Sequence, residues 1–304
     1  MDSAKVEFRP SLRLETRVER VLVLTHSDKS AATQLAERLV PWLEERVSRV
    51  ESHGDLLAFS KEREVALAQG AAIEVPDLVV VLGGDGAMLT AVRAFRDHPV
   101  PTLGINFGRV GFLASTPVSR WEETLQGVLD GEGVLEPRMR LLLRHRSAAG
   151  ELQAVALNDV VVSRRPEDSM LHLGLDVGLD WVTDYRADGL IVASPSGSTA
   201  YALSAGGPIL APSMLGIVVV PICSQGLSTR PIVLHPEHGL RVRLVDHGAA
   251  ADIVVDGQSF ATLSLGDELM LARHPVPYPL LSLPGLDPYR RLRERLGWSG
   301  EIRS

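Results

Sequence analysis

Residues 77–89, Asp-Leu-Val-Val-Val-Leu-Gly-Gly-Asp-Gly-Ala-Met-Leu, constrain this chain more than any other stretch. Residues 78–82 are an unbroken apolar, β-branched run, short enough for a strand buried on both faces of a parallel sheet. The run ends in Gly83, Gly84, Asp85 and Gly86, and residues 87–95 then carry Met88, Leu89, Val92 and Phe95 at helical spacing. Strand, glycine turn and helix together bring backbone N–H groups up to a phosphate. Asp85 does not fit a turn that only holds phosphate, because a carboxylate repels it. The acid points instead to a metal, a sugar hydroxyl, or a proton that a reaction must remove. A turn that needs only backbone freedom would use one or two glycines, not three flanking an acid.

The same stretch excludes two common phosphate sites. No Gly-Lys-Ser/Thr follows, so it is not a P-loop. Leu89 holds the place of the third glycine, so it is not a dinucleotide fingerprint. The chain carries no His-Glu-x-x-His zinc pattern and no Gly-x-Ser-x-Gly nucleophile elbow, and His235 and His238 read as surface residues of a Pro-rich loop. The net charge of -7 argues against nucleic acid or an anionic membrane as partner. Cys223 is the single cysteine, which rules out a disulfide framework or a four-cysteine zinc site and suits a reducing compartment. The first residues show no basic lead into an apolar run, and the apolar run near residues 217–223 is too short to span a bilayer. These features predict a cytoplasmic protein.

In chain order, residues 1–18 read as a charged, mobile lead-in and residues 20–25 as the first strand. Asp28 or Ser30 can cap a helix that runs to about Val47, with Pro41 expected to kink or split it. Residues 55–70 hold a short helix, 100–105 another strand, and 118–129 an amphipathic helix ended by Gly131 and Gly133. The two glycines of residues 106–115 suggest a tight crossover beside the Asp85 turn. Alternating strands and helices predict a parallel sheet, with ligands at the carboxyl ends of its strands. From about residue 136 short strand-like runs dominate: 141–146, 152–157, 160–163, 171–179, 190–193, 216–221, 240–245 and 253–255. That pattern predicts a β-sandwich. The expected architecture is therefore an α/β N-terminal domain with a parallel sheet over residues 1–135, and a mainly β, sandwich-like domain over 136–272. Residues 273–304 form a tail that returns to the first domain, opening with Pro275, Pro277, Pro279 and Pro284 and ending in a basic helical pattern over 289–296.

Three more segments carry polar groups in unusual density. Asn158 and Asp159 lie between two strand-like runs; alone they read as a turn, together they could address an adenine edge or ribose hydroxyls. Residues 184–208 are the richest segment, with a strand over 190–193, then Ser196, Gly197, Ser198 and Thr199 as a small-residue turn and helix N-cap, then a short helix stopped by Gly206, Gly207 and Pro208. Hydroxyls and Tyr201 at that helix start suit a nucleotide pocket. Asp256, Gly257 and Gln258 read as a β-turn.

Together these segments resemble the NAD kinase family over about residues 21–271. The resemblance rests on Gly83-Gly84-Asp85-Gly86, on Asn158-Asp159, on Asp188-Gly189 with the run 194–208, and on Asp256-Gly257-Gln258, in the family's order, with residues 104–113 also similar. A bare Gly-Gly-Asp-Gly is shared with lipid kinases and phosphofructokinases; the long middle motif is specific. The resemblance implies ATP-dependent phosphorylation of the 2′-hydroxyl on the adenosine ribose of NAD, giving NADP, with Asp85 as general base. It implies that Gly83, Gly84 and Gly86 let backbone approach the phosphates and the substrate, and that a divalent cation, Mg2+, travels with the nucleotide. It places Asn158, Asp159, Thr199, Ala200 and Tyr201 at the adenosine of NAD and Asp188 near the nicotinamide. Arg186, Ala202, Leu203, Ser204 and Gln258 complete the implied pocket, and a homodimer or homotetramer is the implied assembly. Ala87 stands where Thr, Ser or Asn is usual, Thr90 where some members carry a basic residue, and Ser224-Gln225-Gly226 where Pro-His-Thr or Pro-His-Ser is common. Residues 167–170 offer no clear match for a further basic NAD contact. These departures bear on substrate affinity and donor choice.

Overall fold

Residues Leu78–Leu82 form the expected strand and all five are buried. The structure, a computed structural model, describes residues 12–14, 16–26, 30–108, 111–226, 229–246, 250–284, 292–293 and 295–298. The chain divides into two units, Met1–Pro137 with Pro279–Ser304, and Arg138–Tyr278.

The first unit is built on β1 (Leu12–Arg13), β2 (Arg20–Thr25), α1 (Ser30–Glu44), β3 (Arg49–His53), α2 (Leu56–Ala68), β4 (Leu78–Leu82) and α3 (Asp85–Ala94). It continues with β5 (Thr102–Asn106), β6 (Thr116–Pro117), α4 (Trp121–Leu129) and β7 (Val134–Arg138), and a late strand, Tyr278–Ser282, joins its sheet. β3, β2, β4 and β5 lie side by side and parallel, and the late strand adds parallel to β5. Val21, Val23, Leu78, Val80, Leu82, Leu103 and Ile105 of the sheet share a core with Leu35, Leu39 and Leu43 of α1 and with Leu125 and Val128 of α4. Each fully buried Leu or Val there contributes about 1.5–3 kcal/mol relative to exposure. The spacing of Ala32, Leu35, Leu39 and Leu43 makes one buried stripe on α1. Asp55 caps α2, its carboxylate accepting from the N–H groups of Leu57 and Ala58.

Several expectations are corrected. Leu12–Arg13 pairs antiparallel with Val134 and Leu135, and Leu14 and Val18 are buried, so the last part of the supposed lead-in belongs to the core. Pro41 does not split α1, which is one helix through it. Asp28 and half of the helical pattern at 289–296 lie outside the described residues; Leu292, Arg293, Arg295 and Leu296 are helical. β3 is mostly polar and exposed because it is the sheet edge. The helix expected from Val118 opens with a 3-10 turn, Val118–Arg120, and becomes α-helical at Trp121. Tyr278–Ser282 is extended despite its neighbouring prolines, and Pro279 within it shows that this short strand tolerates one missing N–H.

The second unit contains β8 (Leu141–Ser147), β9 (Gly150–Ala156), β10 (Asp159–Arg164), β11 (Leu171–Val177), β12 (Asp180–Ala187), β13 (Gly189–Ala193), α5 (Tyr201–Ser204), β14 (Ile217–Ile222), β15 (Ile232–Leu234), β16 (Leu240–Leu244), β17 (Ala251–Val255), β18 (Gln258–Leu263) and β19 (Glu268–Arg273). The late strand of the first unit is β20 (Tyr278–Ser282). Two six-stranded sheets result, in the orders β15-β14-β13-β10-β17-β18 and β12-β11-β16-β19-β8-β9. Leu141, Leu143, Leu171, Leu173 and Val242 of one sheet pack with Val160, Val162, Leu190, Val192 and Ile253 of the other, which is the expected sandwich. The run 171–179 is not one strand: β11 ends at Val177 and Leu179 sits fully exposed in the turn to β12. The far face of the first sheet is covered by Ala202 and Leu210, which pack on Val161, Ile191, Val218 and Val220.

Candidate functional site

In the first unit the turn after β4 lies at the carboxyl end of the sheet. The Gly83 N–H donates to the Ile105 carbonyl, and a Cβ at Gly83 would stand 2.5 Å from that of Ala87. Gly84 and Gly86 differ from Gly83: a Cβ at either would meet nothing within 4 Å among the described residues. The protein's own packing does not require glycine there, so the space above both is open to a ligand. Ala87 is buried against the turn, and Thr90 donates its hydroxyl hydrogen to the Gly86 carbonyl at 3.1 Å.

Asp85 is the first residue of α3, where a helix N-terminus favours an anion. Its Oδ1 accepts from the N–H groups of Leu113 and Ala114, both at 3.0 Å, and Oδ2 accepts from Phe112 at 2.9 Å. A carboxylate offers about four acceptor positions, so among the described residues one on Oδ2 is left. The Arg295 guanidinium lies 3.7 Å from Oδ2 and 5.8 Å from the centre of the Phe112 ring. A Cβ at Gly111 would overlap the Asp85 carboxylate, so only glycine fits there. Among residues 106–115, expected to form a crossover beside Asp85, residues 111–114 do reach its carboxylate; Arg109 and Val110 lie outside the described residues. The sequence points to both segments, the 106–115 crossover and the basic 289–296 pattern, but not to which N–H groups or which arginine reach the carboxylate.

In the second unit one end of the β13-β10-β17 sheet gathers most of the remaining candidates. The Asp256 carboxylate accepts from the N–H groups of Leu157, Asn158 and Asp159 at 2.7, 2.8 and 3.1 Å. Asp256 and Gly257 have φ of 45 and 77 and form the two-residue hairpin turn between β17 and β18, a geometry that Asp-Gly favours. From the other side the Ser194 hydroxyl donates to the Leu157 carbonyl, and the Ser194 N–H donates to the Asn158 carbonyl. A Cβ at Gly197 would overlap the Asn158 backbone. Residues 157–159 are therefore held between two turns. Asp256, expected in a turn and as part of the family motif, has this further structural role of holding residues 157–159.

The hydroxyls of the 194–199 turn do not cap a helix as expected; no side-chain cap is formed at Ser196 or Ala200. Ser198 donates to the Pro195 carbonyl and accepts from the Leu210 N–H, and Thr199 donates to the Ser196 carbonyl. These bonds hold the turn itself. The buried Oδ1 of Asn158 and Oγ of Ser196 are different, since neither has a hydrogen-bond partner among the described residues. Two buried orphan polar atoms in one turn cluster are costly unless something else bonds them. Asp159 is 6% exposed, and burial, then the nearby Asp256 charge, push its pKa up to about 7. Tyr201 is 47% exposed, Ser204 and Gln258 are exposed, and Thr199, Ala200 and Leu203 are half-buried. The Ala202 methyl is fully buried in the core, where it packs the helix on the sheet.

Arg186 and Asp188 lie at the opposite end of β13, separated from Ser194 by the strand's length, roughly 20 Å at ~3.3 Å per residue. There the Asp188 Oδ1 accepts from Arg164 Nε at 2.6 Å. The Arg186 carbonyl accepts from the Gln225 N–H and the Ser224 hydroxyl, so two of the three departing residues tie down this end. No group of three or more His, Cys, Asp or Glu side chains that could hold a metal exists among the described residues. No described helix is long and apolar enough to cross a membrane.

Comparison with known proteins agrees with this arrangement. The ATP-NAD kinase N-terminal domain matches residues 21–133 and the ATP-NAD kinase C-terminal domain matches residues 157–282. The chain is 36% identical over 296 residues to an NAD kinase of Cellvibrio japonicus, covering 94% of this chain and 98% of the relative. It is also 36% identical over 290 residues to an NAD kinase of Rhodopirellula baltica, covering 94% and 89%. In fold it is similar to the crystal structure of yeast NADH kinase complexed with NADH, at TM-score 0.81, 21% identity and coverage of 95% and 90%. An NAD kinase from Archaeoglobus fulgidus in complex with ATP is similar at TM-score 0.69 and 26% identity, covering 91% and 97%. The α/β unit with its open glycine turn, the β-sandwich with its clamped Asn158-Asp159 segment, and these matches establish that this chain belongs to the NAD kinase family.

Proposed function

We propose that the protein transfers the γ-phosphoryl group of ATP to the 2′-hydroxyl on the adenosine ribose of NAD, giving NADP and ADP. The observation that carries the mechanism is the Asp85 carboxylate, fixed by three backbone N–H groups with one acceptor position left on Oδ2. That position takes the proton as the 2′-oxygen attacks phosphorus and the bond to the ADP oxygen breaks. Fixing the acid by backbone removes the entropy of positioning it at the moment of reaction. The open backbone at Gly84 and Gly86, with Gly83 behind them, receives the phosphates. Phosphoryl transfer requires charge neutralisation, and a divalent cation, Mg2+, carried with the nucleotide would supply it.

The second unit is proposed as the NAD-binding domain. Asn158 Oδ1 and Ser196 Oγ supply unsatisfied groups for the adenosine, with Asp159, Thr199, Ala200 and Tyr201 around them. Asp188 and Arg186 are proposed at the nicotinamide end, where an extended dinucleotide reaches along β13, with Leu203, Ser204 and Gln258 as further pocket residues. A cytoplasmic, homo-oligomeric protein is the accompanying reading. The exposed lone Cys223 suits a reducing compartment, and exposed Leu152, Leu179 and Trp181 suit a contact between copies. The decisive experiment measures NADP formation by purified protein with ATP and with polyphosphate in parallel. NADP formed with ATP supports the reading, NADP formed with polyphosphate alone removes ATP as the donor, and none with both defeats it. Asp85→Asn should lower kcat by roughly a hundredfold to ten-thousandfold with NAD still bound; retained turnover would remove Asp85 from the chemistry.

A further inference from the structure

The Arg164–Asp188 pair joins two strand ends. Arg164 ends β10 and Asp188 precedes β13, and the Arg164 N–H donates to the Asp188 carbonyl while the Asp188 N–H donates to Ile222. The guanidinium Nε donates to Asp188 Oδ1 at 2.6 Å, and Nη1 donates to the carbonyls of Arg165, Pro166 and Asp168, each at 3.2 Å. The guanidinium is therefore locked, with side chains 31% and 33% exposed for Arg164 and Asp188. Asp188 Oδ2 makes no hydrogen bond among the described residues, so the carboxylate faces outward with its charge balanced by a fixed cation.

We propose that Arg164 is a specificity-determining residue that masks the Asp188 charge and so weakens discrimination between oxidised and reduced dinucleotide. The inference rests on the proposed placement of Asp188 at the nicotinamide end. The two dinucleotides differ there in charge: the oxidised ring is cationic and the reduced ring is neutral. A bare carboxylate would attract the cation and leave the neutral ring unaffected, whereas a neutralised pair treats them more alike. Arg165 and Arg186, further cations at this end, stay constant across the variants.

The test measures Kd of NAD and of NADH by calorimetry for the wild type, Arg164→Gln, Arg164→Lys, and the double variant Arg164→Gln with Asp188→Asn. Arg164→Gln should raise the ratio of the NADH Kd to the NAD Kd by roughly three- to tenfold. Arg164→Lys keeps the charge and loses the fork, so its ratio should stay within about twofold of the wild type even if both affinities fall. The double variant should return to the wild-type ratio. An Arg164→Gln ratio equal to the wild type, with both affinities reduced alike, would make Arg164 a loop anchor and overturn the proposal. Binding of neither dinucleotide by the wild type would overturn it too. Binding without any NADP formation would defeat the kinase reading while the ratio still decides the role of Arg164.

Discussion

Asp159 should make the protein's stability depend on pH in a direction opposite to most carboxylates. Asp159 is only 6% exposed, and it sits beside the Asp256 charge. Its pKa rises from 3.8 to about 7. Between those values the folded protein holds a proton that the unfolded chain has released, so stability falls as pH rises through this window. Above the folded value the full penalty applies, about 4 kcal/mol at ~1.4 kcal/mol per pH unit. Near pH 4.5 the same group costs only about 1 kcal/mol. Asp159→Asn removes the titration while keeping the shape. In urea titrations the variant should exceed the wild type by about 4 kcal/mol near pH 8.5 and by about 1 kcal/mol near pH 4.5. The double difference, about 3 kcal/mol, cancels every other titrating group that the substitution leaves alone. Equal differences at the two pH values, or a variant less stable at the higher one, would refute the reasoning. Asp256→Asn gives an independent check by NMR titration: removing that charge should lower the Asp159 pKa, although burial keeps it above the ordinary value.

Other substitutions separate packing from chemistry. Gly84→Ala meets no atom and has an ordinary φ of -91, so stability should change by less than about 1 kcal/mol while KM for ATP rises at least several-fold. Gly111→Ala overlaps the Asp85 carboxylate and should cost about 1–3 kcal/mol in chemical denaturation. Ser196→Ala should leave stability unchanged or slightly raised, because Oγ has no partner among the described residues, and should weaken NAD binding by about 1 kcal/mol in calorimetry. Asp77 accepts from the N–H groups of Glu19 and Arg20 and pairs with the Arg20 side chain; burial alone would raise its pKa, but these bonds hold it below the usual value. Asp77→Asn should therefore destabilise by about 1–3 kcal/mol near pH 7, and the loss relative to wild type should shrink as pH falls below about 4.

Residue order alone determined the local elements and their chemistry. A buried apolar run into Gly83–Gly86 ends in a turn, the 3.6-residue stripe on α1 seeks a core, and the small polar residues at 196–199 mark a turn. These signals act over a few residues, so they survive without knowledge of the fold. Tertiary structure decided the rest. It joined the Asp85 carboxylate to N–H groups at Phe112–Ala114, brought Asp256 under Asn158, and buried Ala202 in the core. It also turned polar Arg49–His53 and Pro-flanked Tyr278–Ser282 into strands, because sheet neighbours supply hydrogen bonds that override weak local preference. Such outcomes depend on which distant segments meet, and no period or propensity along the chain encodes that meeting.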